Sequence, residues 1–113
     1  MNGGIFLVEI TYEPAKCQVV LCGHAGSGKK GADLVCAAVS TLACTLSANV
    51  ERLLQGGQLR RAVIRLDSGN ARIRAFPACG HRNQVRAAFE TICTGFELLM
   101  QMHPNHVRHV RKE

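Results

Sequence analysis

His24 and Cys36 are the residues of this 113-residue chain whose types and spacing best suit covalent chemistry. His24 follows a predicted strand, and Cys36 lies twelve residues later, in the first or second turn of a predicted helix. The reactive form of cysteine is the thiolate, which the amino-terminal end of a helix favours. A nearby imidazole can take the thiol proton and later protonate a leaving amine. On spacing alone, a small buried cysteine and a surface histidine are the more common arrangement.

The segment between this pair is rich in glycine. Four glycines, Gly23, Gly26, Gly28 and Gly31, occupy residues 23–31. Such a segment costs much conformational entropy to order. We therefore predict a substrate lid that is mobile in the free protein, orders on peptide binding and delivers His24 to Cys36. Backbone N–H groups at the start of the following helix are suited to binding an oxyanion.

The same segment partly matches a phosphate-binding loop. Gly23 is followed after four residues by Gly28 and Lys29, which fits the first part of that motif. Lys30 then stands where a serine or threonine would ligate magnesium, and Asp33 would repel phosphate. Nucleotide binding through residues 23–31 therefore remains the less favoured alternative.

No pattern in the sequence predicts a metal site or a cofactor. Cys79 and His81 are close in sequence, and His103, His106 and His109 follow one another near the end of the chain. No C-x-x-C pair is present, and nothing in the spacing makes these groups converge. We expect neither a bound metal nor a cofactor.

The elements that must position these residues follow from hydrophobic periodicity, which predicts the order strand, strand, helix, strand, strand, helix. They cover residues 5–12, 16–22, 33–55, 60–66, 71–76 and 83–102. This order predicts an α+β fold in which one sheet carries both helices on one face. Residues 1–104 are expected to form a single domain, and 105–113 a frayed basic tail.

The helix predicted over residues 33–55 has an apolar stripe on one face and small side chains on the opposite face. The second face contains Cys36, Ser40, Ala43 and Ser47. Because these side chains are small, another group can approach this face closely.

Composition and charge limit the compartment and the partners. The net charge is +6, which suits an acidic partner such as nucleic acid but is also found in basic proteins without one. A weak nucleic-acid contact through the tail at 105–113 is therefore predicted. We expect no secretion signal in residues 1–12, because Glu9 interrupts their apolar run, and no apolar stretch long enough to span a membrane. The six cysteines are expected as free thiols, which together with these absences predicts a cytoplasmic protein with no membrane contact.

Two blocks of residues carry a resemblance to a known family. Gly23-His24-Ala25, the glycines after it and the block from Gly31 to Ser40 together resemble the signature of the ribosomal-processing cysteine protease family, called Prp. The resemblance implies a homodimeric, cytosolic bacterial endopeptidase that removes a short N-terminal extension from a large-subunit ribosomal protein. It also implies that Cys36 is the nucleophile and His24 the proton acceptor and donor.

The resemblance leaves two supporting positions with alternative roles. Asp33 either orients His24 or caps the helix, and Ser40 either supports the site or only packs beside it. A non-catalytic, ribosome-associated binding protein is the alternative function, and it depends only on the net charge and the basic tail.

Overall fold

The structure is a computed structural model that describes residues 7–23 and 30–113, apart from the side chains of 30–33. Within these residues the chain forms one five-stranded sheet and two α-helices. The elements are β1 (Val8–Glu13), β2 (Gln18–Cys22), α1 (Lys30–Gln55), β3 (Leu59–Asp67), β4 (Asn70–Pro77), α2 (Arg82–Met102) and β5 (Val107–Arg111). The predicted α+β fold, with one sheet and two helices, is confirmed.

The strands lie side by side in the order β3-β4-β2-β1-β5. β2 is antiparallel to both of its neighbours, with Leu21 opposite Ile10 and Val19 opposite Ile73. β5 is parallel to β1. This order places the β3–β4 turn next to the end of β2, although the two are far apart in sequence.

The core lies between the sheet and the helices, which pack against each other and against the sheet. Alternate residues of the strands point inward, as expected for a sheet with one covered face. On the strands the buried set includes Val8, Ile10, Tyr12, Val19, Leu21, Ile73 and Ala75, and on the helices Val35, Val39, Leu46, Val50, Val85, Phe89 and Phe96. The apolar stripe of α1 is thus used to close the core.

Part of α1, Leu34–Gln55, is long and apolar enough to cross a membrane by length and composition. The expectation that no stretch reaches that length is therefore wrong. Core helices pass the same test because one face must be apolar. Here Val35, Leu46 and Val50 of that helix are buried against the sheet.

The expectation of a frayed tail is also wrong, because residues 107–111 form β5. The backbone N–H of Val8 donates to the carbonyl of His106 at 2.9 Å, and that of Lys112 donates to the carbonyl of Tyr12 at 2.8 Å. Val107 is buried in the core. The strand is short and basic and its partner lies at the other end of the chain, so local pattern alone does not reveal it.

Candidate active site

A cleft of about 260 Å³ lies between α1 and the turn that joins β3 to β4. Cys36 and Ser40 line it from the helix, Gly23 lines it from the end of β2, and Asp67–Asn70 line it from the turn. Val8 and Leu21 also contact it from the sheet. The cleft is therefore built from four separate parts of the chain.

Cys36 lies on the second turn of α1 and is half-buried, with its side chain packed at the margin of the core. It is thus held in place by packing while it still contacts the open cleft. The influence of a helix dipole falls off within its first turn. A thiol at this position therefore gains less from the helix end than it would from a neighbouring base.

Ser40 and Cys44 follow Cys36 at intervals of four residues and lie on the same side of α1. Both are exposed, and both line the same cleft as Cys36. One face of the helix thus presents a thiol, a hydroxyl and a second thiol to one open volume. Cys44 was not identified from the sequence as a cleft residue. Its spacing of four residues from Ser40 could have indicated that it lies on the same helix face.

Several residues predicted for the site lie outside the described residues, namely His24, Gly26 and Gly28. The predicted lid at 23–31 falls mostly on this segment and stays a prediction. Gly31 and Asp33 belong to the first turn of α1, but the Asp33 side chain is among those not described.

Gly23 is held at the cleft by geometry that only glycine tolerates. Its φ is +100°, and a Cβ on this residue would overlap the carbonyl oxygen of Leu7. Its backbone N–H donates to the carbonyl of Gly69 at 2.8 Å. This bond ties the end of β2 to the β3–β4 turn, so the residue immediately before His24 is fixed at the cleft.

The β3–β4 turn forms the second wall of the cleft. The sequence predicted this turn but did not indicate that it belongs to the site. Within the described part of the cleft lining, Asp67 is the only carboxylate. Its side chain is 66% exposed and lies 3.9 Å from the guanidinium of Arg65. The turn reaches Gly23 because β4 pairs with β2, and the sequence does not reveal this strand order.

The other cysteines differ from Cys36 in exposure. All six cysteines lie within the described ranges and are free thiols. Cys17 and Cys93 are buried, and burial raises the pKa of both thiols, that of Cys93 to about 12. Cys22, Cys44 and Cys79 are exposed. Cys36 combines partial burial with contact to a cleft.

The alternatives of metal and nucleotide binding gain no support from the geometry. Across residues 7–23 and 30–113, no three His, Cys, Asp or Glu side chains are grouped to hold a metal ion. β2 precedes the glycine-rich segment but is antiparallel to its neighbours, unlike the parallel strand that precedes a phosphate-binding loop.

A family model described as cysteine protease Prp matches residues 8–108. No curated protein matches the chain. Among solved structures, SMU.848 from Streptococcus mutans has a TM-score of 0.66 and 26% identity, covering 97% of each chain. An essential ribosomal processing protease Prp from S. aureus in complex with a substrate peptide has a TM-score of 0.67 and 22% identity, covering 96% of this chain and 100% of that one. The same protease with a covalently linked product peptide has a TM-score of 0.67 and 23% identity, with the same coverage.

Proposed function

We propose that this protein removes a short N-terminal extension from a large-subunit ribosomal protein. The proposal starts from the family match, because the chain belongs to the cysteine protease Prp family. The observation that carries this proposal is the cleft in which Cys36 is accessible beside the anchored residue Gly23. The S. aureus structures add that a similar fold holds a substrate peptide and a covalently linked product.

In the proposed reaction, His24 takes the proton from the Sγ of Cys36, and the thiolate attacks the carbonyl carbon of the scissile peptide bond. Backbone N–H groups in the first turn of α1 donate to the oxyanion of the tetrahedral intermediate. The protonated His24 gives its proton to the leaving amine as the C–N bond breaks. His24 then deprotonates a water that hydrolyses the thioester, which restores the free thiol.

The anchoring of Gly23 supports His24 as the base. Gly23 directly precedes His24 in the sequence and lines the same cleft as Cys36. Because Cys36 lies one turn beyond the strongest part of the helix dipole, a base at this point supplies the activation that the helix end does not.

The remaining predicted residues are assigned supporting roles. Asp33 orients the imidazole of His24, and Ser40 contacts the bound peptide from the next turn of α1. The glycines of 23–31 let this segment close over the peptide. An extended peptide fits between the small side chains of α1 and the β3–β4 turn, where Asp67 favours a basic substrate residue.

We also propose that the protein is a cytoplasmic homodimer. Leu98 and Met102 lie one turn apart on α2 and are 52% and 69% exposed. Neighbouring exposed apolar side chains of this kind are suited to contact with a second copy of the chain. Light scattering at micromolar concentration tests this, and a monomer mass would contradict it.

The central experiment incubates the protein with the full-length ribosomal protein of the same organism and follows the mass of its N-terminus. We expect loss of a short N-terminal peptide with the wild type and none with Cys36→Ala. Cys44→Ala is the matched control, because it removes a thiol from the same helix face and the same cleft. An intact ribosomal protein after prolonged incubation, with tight binding to it, would instead favour the non-catalytic ribosome-associated protein.

A further inference from the structure

The face of the sheet that points away from the helices carries a group of arginines. The alternation of β3 and β4 places Arg61, Arg65, Arg72 and Arg74 there, and we call these four residues the arginine face. Arg61, Arg65 and Arg72 are exposed, and Arg74 is half-buried. No element of the described chain packs over this surface, since both helices occupy the opposite side.

The register places like charges directly opposite each other. Arg65 of β3 pairs with Arg72 of β4, and Arg74 follows Arg72 on the same side of the strand. Like charges in this position destabilise a strand pair. Charged residues on β3 could serve to protect a sheet edge, but Arg72 and Arg74 lie on β4, which is an interior strand. Neither stability nor edge protection therefore explains Arg72.

Phe76 orders two of the guanidinium groups. The Cζ atoms of Arg74 and Arg61 lie 4.4 Å and 5.2 Å from the centre of its ring. Stacking of this kind fixes a guanidinium while leaving its N–H donors available, and so lowers the entropy cost of binding an anion. The Nε of Arg74 is buried and has no hydrogen-bond partner among the described residues.

A recess of about 200 Å³ is lined by Arg65 and Arg72. Val20 and Asn70 border it, and so does Asp67, whose carboxylate lies 3.9 Å from Arg65. Asp67 is the one acidic residue on the described outward positions of β3 and β4, against the four cations of the arginine face. The charge of this half of the sheet is therefore strongly positive.

The arginines of β5 form ion pairs with carboxylates of the same chain. Arg111 donates to Glu113 at 2.7 Å and to Glu90 at 3.3 Å, and Arg108 lies 4.0 Å from Glu9. Arg111 is thus paired with two carboxylates, whereas Arg108 has one weak, exposed pairing, as Arg65 has with Asp67 at 3.9 Å. The nucleic-acid contact predicted for residues 105–113 stays a prediction, but the arginine face offers more uncompensated charge.

We infer that the arginine face binds the phosphate backbone of RNA. Planar guanidinium groups match the geometry of phosphate oxygens, and binding of this kind positions a protein without reading sequence. The choice of RNA as the polyanion rests on the proposed function, because the substrate is then a ribosomal protein. The active-site cleft and the arginine face adjoin at the β3–β4 turn, so an RNA-bound enzyme presents its cleft beside that RNA.

The test measures binding of a fluorescently labelled single-stranded RNA to the full chain by anisotropy, over a series of salt concentrations. The variant Arg65→Gln/Arg72→Gln is expected to bind about tenfold more weakly at low salt. Each phosphate contact contributes about 0.7 to the slope of log affinity against log salt, so the slope should become shallower by about 1.4. Arg65→Lys/Arg72→Lys should keep the wild-type slope, because it keeps both charges.

The matched control is Arg52→Gln/Lys112→Gln, which removes two exposed charges away from the arginine face. We expect it to bind RNA nearly as the wild type does. An equal loss in this control would overturn the inference in favour of net charge or the tail. Failure of the wild type to bind RNA at low salt would also overturn it. So would a lower molecular mass of Arg65→Gln/Arg72→Gln in light scattering, because the face would then be an interface between two copies.

Two further readouts separate the possible failures. Arg65→Gln/Arg72→Gln should unfold at the same temperature as the wild type or higher, since it relieves a repulsive pair, so weak binding cannot be attributed to misfolding. Cleavage of a short free peptide is followed on the wild type. RNA binding without cleavage contradicts the proposed protease function alone, whereas cleavage without RNA binding contradicts this inference alone. Vesicles containing an anionic lipid serve as a competing polyanion, and binding to them in preference to RNA would overturn the choice of RNA.

Discussion

The side of the molecule where α2 packs on β1 and β5 differs from the side that holds the cleft in how its polar groups are used. On the α2 side, one carboxylate of Glu90 accepts from Tyr12 at 3.2 Å, from Arg111 at 3.3 Å and from Arg86 at 3.4 Å. Partial desolvation alone would raise the pKa of Glu90, but the bond from Tyr12 and the two guanidinium charges outweigh it and lower that pKa. These groups join α2 to both β1 and β5.

On the cleft side, polar and nucleophilic groups border open volume. Ser40 and Cys44 are exposed, Cys36 is half-buried, and all three contact the cleft. The thiol of Cys93, on the α2 side, is instead buried. The difference indicates that the α2 side supplies stability through packing and paired charges, whereas the cleft side keeps its thiols and hydroxyl accessible.

The largest expected effect is a loss of peptide cleavage without a loss of stability, when Cys36 on the cleft side is replaced. Cys36→Ala should lower the rate of peptide cleavage by about a thousandfold or more, because it removes the proposed nucleophile. Its free energy of unfolding should change by less than about 1 kcal/mol, since one sulfur is lost from a half-buried position. A fluorogenic peptide assay and urea unfolding measure the two quantities, and wild-type turnover by this variant would reject the assignment.

Thiol reactivity sharpens the same comparison. With a pKa of about 12, the thiol of Cys93 is ionised in a fraction of about 10⁻⁵ at pH 7, so alkylation there should be slower by orders of magnitude. Cys36 should react first of all the cysteines. Peptide mass mapping after brief treatment with iodoacetamide ranks them. Exposed Cys44 is the internal standard, and its reacting as fast as Cys36 would argue against an activated thiol.

Truncating a core side chain on the α2 side should lower the free energy of unfolding far more than a substitution on the cleft side. Phe89 is fully buried and its ring lies 6.4 Å from that of Tyr12. Phe89→Ala should lower the free energy of unfolding by about 3–5 kcal/mol through lost burial and a cavity. Ser40→Ala on the cleft side should change it by less than about 0.5 kcal/mol. Urea unfolding of both variants compares them, and similar losses would contradict the division between the two sides.

A pH dependence of stability is expected from two groups on the α2 side, His109 and Glu90. Burial lowers the pKa of His109 below its usual 6.5, with Glu97 opposing the shift and Arg111 adding to it. Below about pH 6.5 the unfolded chain therefore binds more protons than the folded one, and stability falls as the pH falls toward the folded pKa. The carboxylate of Glu90 adds a further loss at pH values below its usual 4.5.

The variant His109→Phe tests how much of the loss of stability at low pH comes from protonation of His109. The Nε2 of His109 is buried without a hydrogen-bond partner among the described residues, and its ring stacks on Phe96. The variant keeps an aromatic ring at this position but cannot be protonated. Thermal unfolding between pH 7.5 and 5 should show a smaller decrease for the variant than for the wild type. A parallel decrease in both proteins would assign the pH dependence to other groups.

The smallest expected effect lies on the cleft side. Asp67→Asn should lower kcat/KM by about two- to threefold for peptides with a basic residue near the cleavage site, because an exposed charge pair contributes about 0.2–1 kcal/mol. Peptides with a neutral residue there should be cleaved equally by both proteins. A loss of the same size with both peptides would indicate a structural role for Asp67.

The sequence allowed the family and most of the fold to be predicted. The signature from Gly23 to Ser40 pointed to the Prp family, which the match over residues 8–108 confirms. The helices and the first four strands follow from local periodicity, because each has a covered apolar side. The roles of His24 and Cys36 stay predictions, since His24 lies outside the described residues.

What could not be predicted depends on contacts between distant parts of the chain. Asp67 became a cleft residue because β4 lies next to β2, a choice that no local pattern of the turn encodes. β5 was missed because Pro104 and a run of basic residues resemble a solvated tail, and only its partner β1 makes Val107 a core residue.

The pairing of β5 with β1 has a consequence for how the protein is made. Val8 and Val107 are opposite each other in the sheet but 99 positions apart in the chain. Contacts of such high sequence separation slow folding, because a long loop must close before they form. During synthesis β1 emerges before β5, and one edge of β1 keeps unpaired backbone groups until residues 107–111 have left the ribosome. The nascent chain therefore depends on the emergence of residues 107–111 to cover an aggregation-prone edge, and correctly folded enzyme is expected only once this segment has left the ribosome.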